Sequence, residues 1–222
     1  WTPVQTFGND DDADWMAKFC DKIERHIGVR SPSGAAAETR WNMGGSHNLE
    51  NAVAAIAAAA SVGVPFARAV DSFSRFEGVK RRMERTATVA NIAIYDDFAH
   101  HPTAVIKTIT SMRRRYLGHR VIVAMEPRSN TMKLGVHNDR LADSLKEADL
   151  VWMYRPDEMA DDFESSLQVL GDKLSLHSDY DDLVSSMSKK VLSGDQVIFM
   201  SNGGFGSARQ MLTELLQRTR GD

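Results

Sequence analysis

The chain has 222 residues, 42% of them apolar and 26% charged, a globular composition that can furnish one large core or two small ones. Its 27 basic and 30 acidic side chains leave a net charge of -3, which argues against a protein that holds nucleic acid by bulk charge. The single cysteine, Cys20, excludes an internal disulfide framework, offers no metal-site spacing and favours a reducing, intracellular setting.

The chain opens on Trp1 without a basic leader, so it resembles neither a signal peptide nor a natural start, and a piece of a longer protein is expected. Val4 to Phe7 reads as a strand, Asp14 to Ile27 as a helix or a strand pair, and Ser31 to Gly34 as a turn. The most apolar run, Ala52 to Val64, is shorter than the roughly 18 residues that span a bilayer and reads as a buried helix. From Asn48 onward, Asn51, Ala52, Ala55, Ile56, Ala59 and Ala60 recur at helical spacing, and Gly63 marks the stop. A second helix over Pro65 to Arg75 should carry proline in its first turn, and Phe76 to Arg82 breaks it as a domain junction.

Beyond that break the elements alternate. A hairpin-like pair covers Met83 to Val89 and Ile92 to Tyr95, then come helix Thr103 to Arg115, strand Arg120 to Met125, helix Val136 to Leu145 and strand Leu150 to Met153. A polar patch precedes a short strand at Leu174 to Leu176, helix Tyr180 to Val191, strand Gln196 to Ser201 and helix Ser207 to Arg218. Interleaved strands and helices give an α/β fold with a mostly parallel sheet flanked by helices. Ligands gather at the carboxyl ends of such strands, so the loops after Tyr95, Met125, Met153 and Met200 form the expected working edge.

Five stretches could carry chemistry. Asp96-Asp-Phe-Ala-His-His-Pro-Thr103 sets two carboxylates and two imidazoles at a strand's carboxyl end. A metal site, an Asp satisfying loop amides beside a packed His, and a nucleotide or substrate contact all remain open there, although the spacing matches no zinc pattern. Gly44-Gly-Ser-His-Asn-Leu-Glu-Asn51 places His47, Asn48 and Asn51 at a helix start. Asn48 and Asn51 share a face, and carboxamides can read a purine edge, whereas Ser46 or Asn48 could equally be a simple cap. Lys80-Arg-Arg82 is either a phosphate clamp or a solvated face. Glu126-Pro-Arg-Ser-Asn-Thr-Met-Lys133 combines Arg128 and Lys133 with hydroxyls and an amide, which suits a carboxylate ligand or plain turn chemistry. In Ser201-Asn-Gly-Gly-Phe-Gly-Ser207 the glycines let backbone N–H groups approach an anion, while a dinucleotide fingerprint is disfavoured because the loop lies in the last unit.

The order of these stretches is more specific than any one of them. Gly-x-His-Asn-x-x-Asn with an Ala-rich helix, then Phe-x-Gly-x-x-Arg-Arg-x-Glu, then Asp-Asp-Phe-Ala-His-His-Pro-Thr resembles the Mur ligase family, which makes the amide bonds of peptidoglycan precursors. The likeness runs from about Trp41 to the C-terminus, and more loosely before it. It implies that residues 1–78 are the tail of an α/β ATPase central domain and residues 79–222 a C-terminal Rossmann-like domain.

It also implies ATP and magnesium as cofactors, with the magnesium ligands mostly outside this segment, and a cytoplasmic setting with neither nucleic acid nor membrane as partner. Matched residue by residue, the resemblance places Asn48 and Asn51 at the adenine with His47 beside them. Arg82 falls at the phosphates, Asp97 at the ribose hydroxyls, and His100 among active-site polar groups. Arg128, Ser129, Asn130, Lys133, Ser201, Gly203, Gly204 and Gly206 would meet the incoming substrate. The motifs most resemble the member type that joins the tripeptide L-Ala-γ-D-Glu-meso-diaminopimelate to UDP-N-acetylmuramate in peptidoglycan recycling. The L-alanine-adding type and a non-catalytic nucleotide-binding module are the alternatives. Because the family's Gly-x-x-Gly-Lys-[Thr/Ser] phosphate loop does not occur here, the segment is expected to need the rest of its chain for catalysis.

Overall fold

The computed structural model describes residues 3–129, 132, 134–135, 138–157 and 159–221. The chain divides into two compact units, residues 1–78 with 114–116, and residues 79–113 with 117–222.

The first unit is a four-stranded sheet in the order β1-β2-β3-β4, made of Phe7–Gly8, Trp15–Phe19, His26–Arg30 and Ala36–Arg40. β1 runs parallel to β2, and the remaining pairs are antiparallel. Asp14 to Ile27, open between helix and strand pair from sequence, contains β2 and the start of β3, and the first strand begins at Phe7 rather than Val4. Period-two alternation buries Trp15, Ala17, Ile27 and Val29 on one face. Helix α1 (Ser46–Ser61) buries Leu49, Ala52, Val53 and Ile56 at positions i, i+3, i+4 and i+7, and these residues share a core with that sheet face. The small alanines of this face leave space for close packing. α1 ends where Val64 N–H reaches Ala59 O and Gly63 N–H reaches Ala60 O, with Gly63 at a φ of 88° that favours glycine. Pro65 caps α2 (Phe66–Ser72) from outside rather than lying in its first turn, since its extended ψ of 135° is not helical.

The second unit holds six strands, β5 (Glu84–Val89), β6 (Ile92–Asp97), β7 (Val121–Glu126), β8 (Leu150–Tyr154), β9 (Leu174–His177) and β10 (Gln196–Ser201). Their order is β5-β6-β10-β7-β8-β9, and every pairing except the β5–β6 hairpin is parallel. This is the expected α/β class. Ala90 and Asn91 take φ of 47° and 60°, the left-handed pair that a two-residue hairpin requires. β7 and β10 are buried along their whole length, as parallel strands covered on both faces must be.

Alternate residues of the central strands, among them Ile94, Ala124 and Phe199, pack with Leu183, Val184 and Met187 of α6 (Tyr180–Lys190) and Ala208, Leu212 and Leu216 of α7 (Ala208–Arg220). The intervening residues face the other side, where α3 (Pro102–Arg115) and α4 (Asn138–Leu145) supply further buried residues such as Ile109 and Leu141. The polar patch before β9 hides one more helical period. Phe163, Leu167 and Leu170 are buried across α5 (Phe163–Leu167) and the 3₁₀ turn that follows it. At the sheet edge the His177 ring bridges Ser175 Oγ (2.8 Å) and Asp182 Oδ2 (2.6 Å), tying β9 to the start of α6. Among the described residues, no helix is long and apolar enough to cross a membrane.

Candidate functional site

In the first unit, His47, Asn48 and Asn51 lie in the first two turns of α1. Neither Ser46 nor Asn48 caps this helix. Gly45 does so at a φ of 93°, with its N–H donated to the buried Glu24 Oε2 at 2.5 Å. Asn48 Nδ2 donates to Gly44 O at 2.8 Å, which orients the carboxamide across the helix start, and Asn51 is exposed.

In the second unit the carboxyl ends of β6, β7 and β10 lie side by side, and the candidate residues converge there in two groups. The first group surrounds the loop after β6. Asp97 is 3% exposed and accepts from Met83 N (2.7 Å), Ala99 N (2.8 Å) and Thr108 Oγ1 (3.5 Å). This is the loop-satisfying arrangement left open from sequence. Burial pushes its carboxyl pKa up, against the pull of the amide bonds and of Arg82. His100 Nδ1 lies 2.8 Å from Phe98 O. A carbonyl can only accept, so Nδ1 carries a proton, and in the neutral ring Nε2 is left as an acceptor. His101 Nδ1 accepts from Thr103 N at 3.3 Å and helps close the entry to α3. Arg82 is exposed, and its guanidinium carbon lies 5.5 Å from the centre of the Phe98 ring.

The second group joins the loops after β7 and β10. Ser201 Oγ donates to Glu126 Oε2 (2.6 Å) and accepts from Gly203 N (2.9 Å), while Tyr180 OH donates to Glu126 Oε1 (2.5 Å). Glu126 is 2% exposed, so these hydroxyls do the work of solvent. Tyr180 stacks on Tyr154 with ring centres 4.1 Å apart, and burial, followed by the Glu126 carboxylate, pushes its phenol pKa far up.

Arg128 lies flat against Gly203, where an added Cβ would come within 2.5 Å of Nη1. Gly204 is in the right-handed region, then Phe205, Gly206 and Ser207 all have φ between 50° and 61°. An αR-to-αL step of this kind turns successive N–H groups towards one side. The Asn202 Oδ1 atom is buried and bonds no described residue. Ser129 caps its own turn by accepting from Met132 N (3.4 Å), and Asn130 and Lys133 lie outside the described residues.

Residues 81–203 match the family model described as "Mur ligase, glutamate ligase domain". The chain belongs to the Mur ligase family. Over 218 residues it is 36% identical to the UDP-N-acetylmuramate–L-alanyl-gamma-D-glutamyl-meso-2,6-diaminoheptandioate ligase of Haemophilus influenzae, covering 98% of this chain and 48% of that protein. The Escherichia coli protein of the same name is 34% identical over 219 residues, with the same coverage. The chain thus spans about half the length of the curated relatives it matches.

Among solved structures, a murein peptide ligase from Psychrobacter arcticus superposes with a TM-score of 0.69 at 35% identity, over 95% of this chain and 46% of that one. A UDP-N-acetylmuramate–alanine ligase from Thermotoga maritima gives 0.77 at 21% identity, over 97% of this chain and 48% of that one, a likeness of fold.

Within the Mur ligase match, three residues shape the site without having been singled out from sequence. Arg81 donates to Ser201 O (2.7 Å) and Gly203 O (2.5 Å), yet it is indistinguishable from Arg82 inside a basic run. Glu126 carries a signal, an acid ending an otherwise apolar strand. Tyr180 carries none, because its hydrogen-bond partner Glu126 lies 54 residues away in sequence.

Proposed function

We propose that the chain is the nucleotide-facing tail and amine-substrate domain of an ATP-dependent ligase that joins L-alanyl-γ-D-glutamyl-meso-diaminopimelate to UDP-N-acetylmuramate. The observation that carries this reading is the 36% identity, across 98% of this chain, to a relative whose name gives that reaction. In such a reaction ATP supplies the phosphoryl group that makes an acyl phosphate of the carboxylate, and the free amine then attacks as phosphate leaves. Residues 1–78 belong to the ATPase central domain and residues 79–222 to the C-terminal domain, in a cytoplasmic enzyme.

Asn48 and Asn51, with His47, approach the adenine, Arg82 the phosphates, and Asp97 the ribose. Three donors of the chain occupy Asp97, whose two oxygens offer about four acceptor sites, so one ribose hydroxyl can join them. His100 Nε2 is an acceptor at the same edge. Arg128 and Ser129, with Asn130 and Lys133, and the backbone of Ser201, Gly203, Gly204 and Gly206 hold the peptide's carboxylates, so that binding far from the amine orients it. The orphaned Asn202 Oδ1 is an acceptor, so it suits an N–H donor of the peptide at this turn and not one of its carboxylates.

Magnesium, which binds through one or two carboxylates together with phosphates and water, would take its protein ligands mostly from the rest of the complete enzyme. An acyl phosphate must also be kept from water, which domain closure in the complete enzyme would accomplish.

The test is ADP release by the complete protein that carries this chain, given ATP, magnesium and UDP-N-acetylmuramate, with either tripeptide or L-alanine as the amine. Tripeptide-dependent release is expected, and the 222-residue chain alone should give none. Release driven by L-alanine would make the protein the alanine-adding type, and no release with either amine would leave a nucleotide-binding module.

A further inference from the structure

Glycine-rich turns are conformationally broad, so a turn that has to offer amide N–H groups in one direction needs its peptide planes held from outside. The Ser201–Gly206 turn is held by a side chain 120 residues away in sequence. Arg81 Nη2 donates to both Ser201 O (2.7 Å) and Gly203 O (2.5 Å). Arg81 is itself fixed on several sides. Its Nε lies 3.5 Å from Asp96 Oδ2, its guanidinium carbon is 5.2 Å from the Phe98 ring centre, its N–H donates to Glu84 Oε2 (2.8 Å), and its carbonyl accepts from Phe98 N (2.8 Å). The residue also sits at a φ of 58°, a left-handed conformation that a non-glycine residue keeps only when its surroundings impose it.

We propose that Arg81 is a positioning residue that sets the Ser201–Gly206 turn for the amine substrate, and not a second phosphate clamp beside Arg82. In a trans peptide the carbonyl and the next N–H point in opposite directions, and the described residues contain no cis bond. With Gly203 O held by Arg81, the N–H of Gly204 must point away from the guanidinium. It leads the run Gly204, Phe205 and Gly206, whose N–H groups bond no described residue. The Gly203 N–H is already spent on Ser201 Oγ. Arg81 therefore leaves outward-facing amides only where an incoming carboxylate can use them. The positive charge behind the turn adds to the attraction for an anion without touching it. Arg82, one residue on, has no such bonds to a described residue and is exposed, so adjacent arginines divide the labour.

The identity of the carboxylate, that of the tripeptide, rests on the proposed ligase function, whereas the hold on the turn does not. Two measurements separate them. Hydrogen exchange on the 222-residue chain should show the Gly203 amide, protected by its bond to Ser201 Oγ, exchanging about tenfold faster in Arg81→Gln as the turn loosens, with β7 unchanged. Arg81→Lys, whose ammonium keeps a charged donor for the carbonyls but loses the planar contacts with Asp96 and the Phe98 ring, should lie between and guards against misfolding of the Gln variant, checked by circular dichroism.

In the complete enzyme, Arg81→Lys should raise the KM for tripeptide about tenfold while the KM for ATP and kcat stay within about twofold. Arg82→Lys should do the opposite. Unchanged exchange at the turn overturns the proposal whatever the kinetics show. Faster exchange with a raised ATP KM and a normal tripeptide KM overturns it as well, because the turn would then serve the nucleotide. If the wild-type enzyme shows no tripeptide-dependent turnover, the ligase reading fails, and the exchange result still decides whether Arg81 holds the turn.

Discussion

Ser201 and Glu126 face each other at the last rung of the β10–β7 ladder, and their side chains are joined as well, Ser201 Oγ donating to Glu126 Oε2 at 2.6 Å. The same hydroxyl accepts from Gly203 N, so one atom links a buried acid to the glycine turn. Ser201→Ala should leave a carboxylate with one donor fewer and an amide without an acceptor. We expect a loss of about 1–3 kcal/mol in urea unfolding of the second unit, followed through Trp152, its sole tryptophan. A loss below the measurement error would show that water replaces the hydroxyl.

Tyr180 gives an alkaline prediction. Its folded pKa lies above the ordinary phenol value near 10, so above that pH the unfolded chain loses a proton that the folded chain keeps. The folded state then binds more protons, and stability must fall as pH rises beyond about 10. Tyr180→Phe should flatten that fall. Equal slopes for wild type and variant between about pH 9 and 11 would mean that Glu126 releases the phenol.

Asp97→Asn tests the loop after β6. An amide nitrogen cannot accept, so either Met83 N or Ala99 N loses its partner, at a cost of about 1–3 kcal/mol. Burial raises the Asp97 pKa, so the folded state holds the proton to higher pH than the unfolded chain, and stability falls as pH rises from the ordinary carboxylate range. The variant should lack this slope. In the complete enzyme its KM for ATP should rise, and a normal ATP KM would limit Asp97 to holding the loop.

Two glycines of one turn should respond differently to alanine. At Gly203 the new methyl meets the flexible end of the exposed Arg128, so Gly203→Ala should fold almost normally and raise the KM for tripeptide by displacing that arginine. At Gly206 the methyl would strike the Tyr180 ring at a φ of 51°, and Gly206→Ala should cost about 1–3 kcal/mol. Thermal unfolding of both variants checks the contrast, and equal losses would refute it.

The parts of the fold most open to reading from sequence are those with long, regular periods. α1 and its Gly63 stop, the strand runs of β7 and β10, and the helices between them each repeat a pattern over several residues. The first 40 residues resist because their strands have at most five residues, too few to separate period two from helical spacing. Phe163, Leu167 and Leu170 are lost among polar neighbours. In the site, loops were legible by composition. Which of two adjacent arginines turns inward depends on the left-handed backbone at Arg81, which no side-chain pattern announces.

The last strand of the chain, β10, occupies the middle of the sheet, with β6 on one side and β7 on the other. Until it is in place, β5 and β6 have no ladder to β7, β8 and β9, and both halves present open, apolar edges. On a ribosome, the centre of the sheet can therefore close only after β10, made later than the five strands it joins, has emerged. A stop codon before Gln196 would spare the other five strands of this sheet and yet yield two unpaired half-sheets prone to aggregation.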